Sequence, residues 1–257
     1  PITPGQFLRE TKILSREETR DMLMANQIKT GGIDPLPSSP LKSLSSLYLK
    51  SSPQMNTDTL LTHSKLYVFY KPKGFLSTMT DPEKRNRPTM FEYLKHTLSV
   101  DKKLYPIGRL DFNAEGIILL TDNEDAAKAW IENENHYDYV YEMKLTGRVD
   151  KKKLKEIRKG KVIKGVKCGP FFFEVKKQLK KSVKVLMKNQ RADMRDIKLM
   201  LQKADLQMMK VKRISVGPYK TEGAEPGGFR EVEFSSKQKQ QYFFYKKKLL
   251  REKIEEL

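Results

Sequence analysis

Apolar and polar positions alternate along the chain in short blocks, and the period of each block separates helices from strands. The first block, FLRETKILSREETRDMLMANQIKTGG at 7–32, reads as a helix pair. Ser15 offers a capping hydroxyl, with Glu17 and Glu18 as acids in the first turn after it. Met22, Leu23 and Ile28 supply an apolar face, and Gly31-Gly32 makes a turn. Between Ile33 and Asn56 stand four prolines and seven serines, the composition of a linker or an insertion. Beyond it, LYVFY (66–70), GIILLTD (116–122), YVYEMKLTG (139–147), VKVLMK (183–188) and KVKRISVGPY (210–219) predict strands. FEYLKHTL (91–98), DAAKAWIENE (125–134), DKKKLKEIRKG (150–160) and RDIKLMLQKAD (195–205) predict helices. The order is α+β without a regular βαβ repeat, which argues against a doubly wound sheet.

Composition narrows the partner. Lys and Arg number 51 against 32 acids in 257 residues, for a net charge of +19. Such a surplus points to a polyanion, because cationic side chains gain by displacing the counterions of phosphates. Residues 144–188 hold 17 of the basic residues and only three acids. A solvated face is the plain reading of a charge run, but like charges this dense repel unless an anion sits among them. The last 21 residues put Lys246, Lys247 and Lys248 beside an aromatic run and end as an amphipathic helix, which could dock on protein or on nucleic acid. No apolar run approaches the 18 residues of a membrane span. The lone Cys168 excludes a disulfide framework, and three histidines (His63, His96 and His136) argue against a zinc site.

The sharpest chemical segment is GRLDFNAEG at 108–116, running into the apolar strand IILLTDN. Arg109 and Asp111 lie two residues apart in a glycine-bounded stretch, where an ionised carboxylate could sit beside a cation. Alone, an Arg-x-Asp pair is most often a surface pair or a turn cap. Four further segments follow a common order: YKPKGFLSTMTDPEKRNRPTMFEYL (70–94), YVYEMKLTGRV around Tyr141, RDIKLML (195–201), and VKRISVGPY with GGFREV (211–232). Together with GRLDFNAEGIILLTDNED they resemble bacterial-type ribosomal RNA pseudouridine synthases over roughly residues 65–235. The 7–32 block resembles the alpha-L RNA-binding motif that precedes the catalytic domain in that family.

That resemblance implies a mixed, largely antiparallel sheet with flanking helices, preceded by a small helical and β RNA-binding domain. The implied divisions are 1–62, 63–235 and a basic helical tail at 236–257. It implies Asp111 as the nucleophile, Lys198 as the cation that keeps it ionised, Tyr141 as the residue stacking on a flipped-out uridine, and Arg109 as a holder of that conformation or of a phosphate. Arg9, Lys12, Arg16, Arg20 and Lys29 of the N-terminal motif are expected at phosphates, as are Lys152, Lys155, Lys159 and Arg213. Isomerisation needs neither cofactor nor metal. The expected partner is ribosomal RNA, large-subunit RNA being slightly preferred, or a pre-ribosomal particle, with ribosomal or assembly proteins at the C-terminal tail. The alternative is a weakly active or inactive RNA-binding factor of the same fold in ribosome assembly or structure.

The sequence also departs from the family pattern. Ala114 stands where Ser or Thr is usual, Tyr139 replaces a lysine before Tyr141, and Asp196 replaces a glutamine and could compete with Asp111 for Lys198. NQRADMRD lacks the usual Gly-Arg-Asn/His, and the Pro/Ser stretch interrupts the closing hairpin of the N-terminal motif. With the basicity and a first residue that is Pro1 rather than Met, these departures set the expectation of a mitochondrial protein, a bacterial or plastid compartment being the alternative.

Overall fold

The computed structural model describes residues 2–31, 47–50, 60–133, 137–190, 194–221 and 223–256. Most of the Pro/Ser-rich stretch read as a linker lies outside the described residues, as do His136 and the middle of NQRADMRD. The chain forms two compact units. One is Pro1–Lys65 with Lys128–Trp130 and Glu233–Leu257; the other is Leu66–Ala127 with Ile131–Val232.

The first unit opens with α1 (Pro4–Glu10) and α2 (Arg16–Met24). Thr3 and Ser15 cap them, each in a reciprocal box with the residue three positions on, Gln6 and Glu18. Strand β1 (Ile28–Thr30) pairs antiparallel with β2 (Leu47–Leu49), so the hairpin of the motif closes across the Pro/Ser insertion. Phe7, Leu8, Ile13, Leu14, Met22 and Ile28 build the core. Phe243 and Leu250 of the C-terminal helix (Ser236–Glu255) belong to the same cluster, and the Tyr242 hydroxyl hydrogen-bonds Glu18. The helix read as a separate tail is therefore part of this unit's core. Tyr242, Phe243 and Leu250 are thus buried within the chain, while Phe244 stays exposed.

The rest of the chain runs β3 (Leu66–Lys71), α3 (Met90–Leu98), β4 (Tyr105–Ile107), β5 (Glu115–Thr121), α4 (Glu124–Glu132), β6 (Tyr139–Thr146), α5 (Lys151–Lys159), β7 (Lys161–Ile163), β8 (Val166–Cys168), β9 (Phe172–Gln178), β10 (Ser182–Asn189), α6 (Arg195–Lys203), β11 (Met208–Val216), β12 (Tyr219–Lys220) and β13 (Phe229–Val232). Nine of these strands form one sheet, in the order β13-β3-β5-β11-β6-β10-β9, with β4 on β5 and β12 on β11. All pairings are antiparallel except β5 with β11. The fold is thus α+β with a mixed, largely antiparallel sheet, as the sequence suggests.

Register then decides what the sheet can present. Lys71 faces Gly116, Gly116 faces Arg213, Arg213 faces Tyr141, Tyr141 faces Met187 and Met187 faces Phe173. Directly paired residues project to the same side, so one row across six strands puts these groups side by side. On this same face, Tyr67, Phe69, Ile118 and Leu120 bury themselves against Met90 and Leu94 of α3.

Candidate active site

Asp111 stands in the loop just ahead of β5, and that loop is tied down on several sides. The Ala114 amide donates to the Asp111 carbonyl at 3.0 Å, and the Gly74 amide to the Phe112 carbonyl at 2.8 Å. Ser77 is buried and grips Leu110 twice: its hydroxyl donates to the Leu110 carbonyl at 3.0 Å and accepts from the Leu110 amide at 3.1 Å. On the outer side, the Arg87 guanidinium lies 5.8 Å from the centre of the Phe112 ring and pairs with Asp81 at 2.7 Å. Asp81 also accepts from the backbone amides of Glu83, Arg85 and Arg87, and the Arg87 guanidinium holds its carboxyl well below the usual carboxylate range. The loop at 81–87 is thereby fixed against the residue that follows Asp111.

Arg213 holds the same loop from beneath. Its Nε donates to the Ile117 carbonyl at 2.7 Å and its Nη1 to the Arg109 carbonyl at 2.9 Å, one on each side of Asp111. Nη2 is buried without a hydrogen-bond partner among the described residues. Only 1% of Arg213 is exposed, which corrects the expectation of a phosphate contact: a side chain inside the sheet cannot reach RNA. The Tyr139 ring lies 5.7 Å below the guanidinium, so the aromatic that replaces the family's lysine gives this arginine a wall and adds no second positive charge.

Lys198, from α6, forms an ion pair with Asp111, and both side chains are close to half exposed. Asp196 does not take its place. It is buried, accepts from Asn189 Nδ2 at 3.3 Å and from the Ile197 amide at 2.8 Å, and so fastens the end of β10 to the first turn of α6. Tyr141 is completely buried, and burial pushes its phenol up, with the neighbouring Arg213 acting in the opposite direction. Arg109 projects from the protein surface next to this group.

Sequence reasoning passed over Lys71, which closes β3 and is completely buried. Its ammonium donates to the carbonyls of Pro72 at 3.0 Å and Phe75 at 2.8 Å, and burial, aided by Arg213, lowers its pKa to about 8. The available signal was a lysine ending an apolar run directly before a proline. Ser77 and Arg87 lay in the same motif but carried no chemistry of their own to mark them.

Three parts of the chain thus converge on one carboxylate at the edge of a buried polar row. The family model for RNA pseudouridylate synthase matches residues 65–247, which include every one of these groups. The chain belongs to the RNA pseudouridine synthase family. A relative from Rickettsia conorii named an uncharacterized RNA pseudouridine synthase is 27% identical over 228 residues, covering 89% of this chain and 95% of its own. Ribosomal large subunit pseudouridine synthase B of Yersinia pestis is 30% identical over 96 residues, 37% of this chain and 29% of that protein. The crystal structure of a pseudouridylate synthase shares the fold, with a TM-score of 0.57 and 17% identity over 94% of this chain and 100% of that one.

The expected RNA contacts of this synthase divide by burial. Arg9, Lys12, Arg16 and Arg20 are exposed on and around α1 and α2, with Arg20 also 3.4 Å from Asp21. Lys29 is not: at 8% exposure on β1, opposite Tyr48, it is part of the unit's interior and is corrected as a phosphate contact. On α5, Lys152, Lys155 and Lys159 are all exposed and share one side of the helix, while Ile157 is buried beneath them.

Proposed function

We propose that this synthase isomerises a uridine in ribosomal RNA, large-subunit RNA by preference, with Asp111 as the nucleophile. The observation that carries the reading is the Asp111 carboxylate, ion-paired to Lys198 and fixed through the carbonyls that Arg213 holds on either side of it. A carboxylate paired with a cation and held in place is what attack on a sugar or base requires. The N1–C1′ bond of uridine breaks, the base turns, and a C5–C1′ bond forms. C5 gives up a proton and N1 gains one, so the reaction balances without any electron acceptor. In this reading Lys198 keeps the carboxylate oriented, and Arg109, exposed two residues before it, holds the extruded nucleotide. Tyr141 lies beneath, so stacking on the base requires the side chains above it to part. The large-subunit preference draws on relatives such as the Yersinia enzyme.

The test is incubation with large- and small-subunit ribosomal RNA, followed by carbodiimide treatment and primer extension. Pseudouridine stops are expected on large-subunit RNA. Asp111→Asn is expected to abolish them, by ~10⁴-fold or more in rate, with RNA affinity within about threefold of wild type because phosphate contacts lie elsewhere. Full turnover by the Asn variant would remove Asp111 from the mechanism.

A further inference from the structure

We propose that the face of the sheet opposite Tyr141 is a second RNA surface, where a row of strand lysines takes phosphates and Phe172 stacks on a base. The proposal rests on the RNA-modifying reading above and adds a binding site to it.

Register places the row. Lys184 on β10 is paired directly with Lys144 on β6, and Lys144 directly with Lys210 on β11. Lys177 on β9 stands opposite Lys184 at the other end. Lys144 is three positions from Tyr141 on the same strand, and successive side chains alternate, so the row lies on the other face from the catalytic group. Neighbouring strands are about 4.8 Å apart, and like charges directly opposite one another destabilise a sheet. The arrangement is unfavourable until an anion lies across it.

The nearby carboxylates meet only part of the charge, although Glu115 and Glu142 line the same concavity. Glu115 pairs with Lys210 at 3.1 Å and Glu174 with Lys176 at 2.9 Å. Glu142 occupies the adjoining row, between Leu186 and Lys212. Lys144, Lys184 and Lys177 have no carboxylate partner among the described residues. Around Lys144, Lys184 and Lys210 the surface is concave, a cavity of about 620 Å³ open to solvent.

The same face carries an exposed aromatic. Phe172 on β9 is 53% exposed and stands opposite Lys188, which is itself paired with Asp138 at 2.7 Å. The nearest cation along β10 without a carboxylate partner among the described residues is therefore Lys184, four positions away. Lysines beside an unpartnered ring on strands suit a single-stranded RNA, whose backbone follows the charges while a base stacks on the ring. An acidic protein segment would use the lysines alone.

The experiment uses the full chain and a 30-nucleotide oligouridylate in filter binding across a salt series. The variant K144Q/K177Q/K184Q is expected to reduce the slope of log affinity against log salt by about 2, since three phosphates are released at about 0.7 each. F172A is expected to weaken binding roughly tenfold without changing the slope. The triple variant should melt no lower than wild type, since it relieves repulsion, so weaker binding will not reflect unfolding. An unchanged slope in the triple variant overturns the proposal. If wild type meanwhile forms pseudouridine in its RNA, the second surface fails alone; if the slope falls yet no RNA is isomerised, the surface stands and the catalytic reading fails. Retention of oligouridylate binding with loss of polyglutamate binding would also overturn it, in favour of an acidic protein.

Discussion

Lys71 brings a cation into the interior of the sheet, and its cost is set by pH. The folded group titrates near 8 because burial and Arg213 disfavour its charge, against 10.5 for a free lysine. Below pH 8 it is protonated in both states and the burial penalty is present in full. Between 8 and 10.5 the unfolded chain binds the extra proton, so stability rises with pH across that window. Relative to Lys71→Met, which cannot titrate, the unfolding free energy of wild type is expected to rise by roughly 2–3 kcal/mol from pH 7.5 to 10. Tyr70, pushed up to about 12 mainly by burial, has the opposite effect above pH 10 and is present in both proteins. Urea denaturation at several pH values measures the difference, and a flat difference would mean that Lys71 keeps its proton in the fold. Burial also explains what was illegible at this scale. The sequence marks Asp111 and Lys198 by type and motif, and the structure joins them. It does not distinguish Arg213 or Lys29 from surface cations, because their burial depends on strand pairings formed far along the chain.

Among the elements, most of the long ones were legible and the short ones were not; the exception is β9, seven residues that carry three charged side chains and no clean alternation. β5, β6, α5 and α6 carry enough apolar periodicity to be read within a few residues of their bounds. β7 and β8 are three residues each, mostly lysine, valine and isoleucine, and become strands only by pairing with one another across Gly165. The parallel contact of β5 with β11 was equally unreadable, yet it aligns the site. It needs Gly116, whose φ is +119° and where a Cβ would stand 2.2 Å from the Arg213 carbonyl oxygen. Gly116→Ala is therefore expected to cost ~3 kcal/mol or more and to displace Arg213. Gly165→Ala, at a positive φ with open space around it, should cost about 1 kcal/mol. Denaturant midpoints will compare the two, and equal costs would show that β11 can move aside. Helix α5 offers a different measurement. Replacing Lys152, Lys155 and Lys159 with Gln should weaken cognate and unrelated RNA equally and lower the salt slope by about 0.7–0.9 for each phosphate no longer neutralised. An unchanged slope would assign this helix to solvent or to a protein.

For the molecule as a whole, what matters is that the ends of the chain share one core. The sequence shows an amphipathic C-terminal helix but not the surface that receives it, since Phe7 and Phe243 are separated by almost the entire chain. Phe243 is completely buried among residues of α1, α2 and β1, and its Tyr242 neighbour bonds Glu18. Truncating a buried Phe to Ala typically costs roughly 3–5 kcal/mol, against a stability of about 5–15 kcal/mol for an ordinary domain. Phe243→Ala should therefore bring the first unit close to unfolding at physiological temperature. The second unit has its own sheet and its own cluster around Phe69, Leu94 and Ile118, none of which depends on Phe243. Hydrogen exchange is expected to show amides of α1 and α2 losing protection while those of β5 and β6 keep theirs. Asp111 and Lys198 would then stay paired in a protein whose exposed N-terminal cations are no longer held in place, and if those cations take phosphates as proposed, affinity falls before the rate at saturating RNA. Equal loss of protection in both units would mean that they unfold together, and the basic N-terminal motif could not then be weakened without disturbing the site.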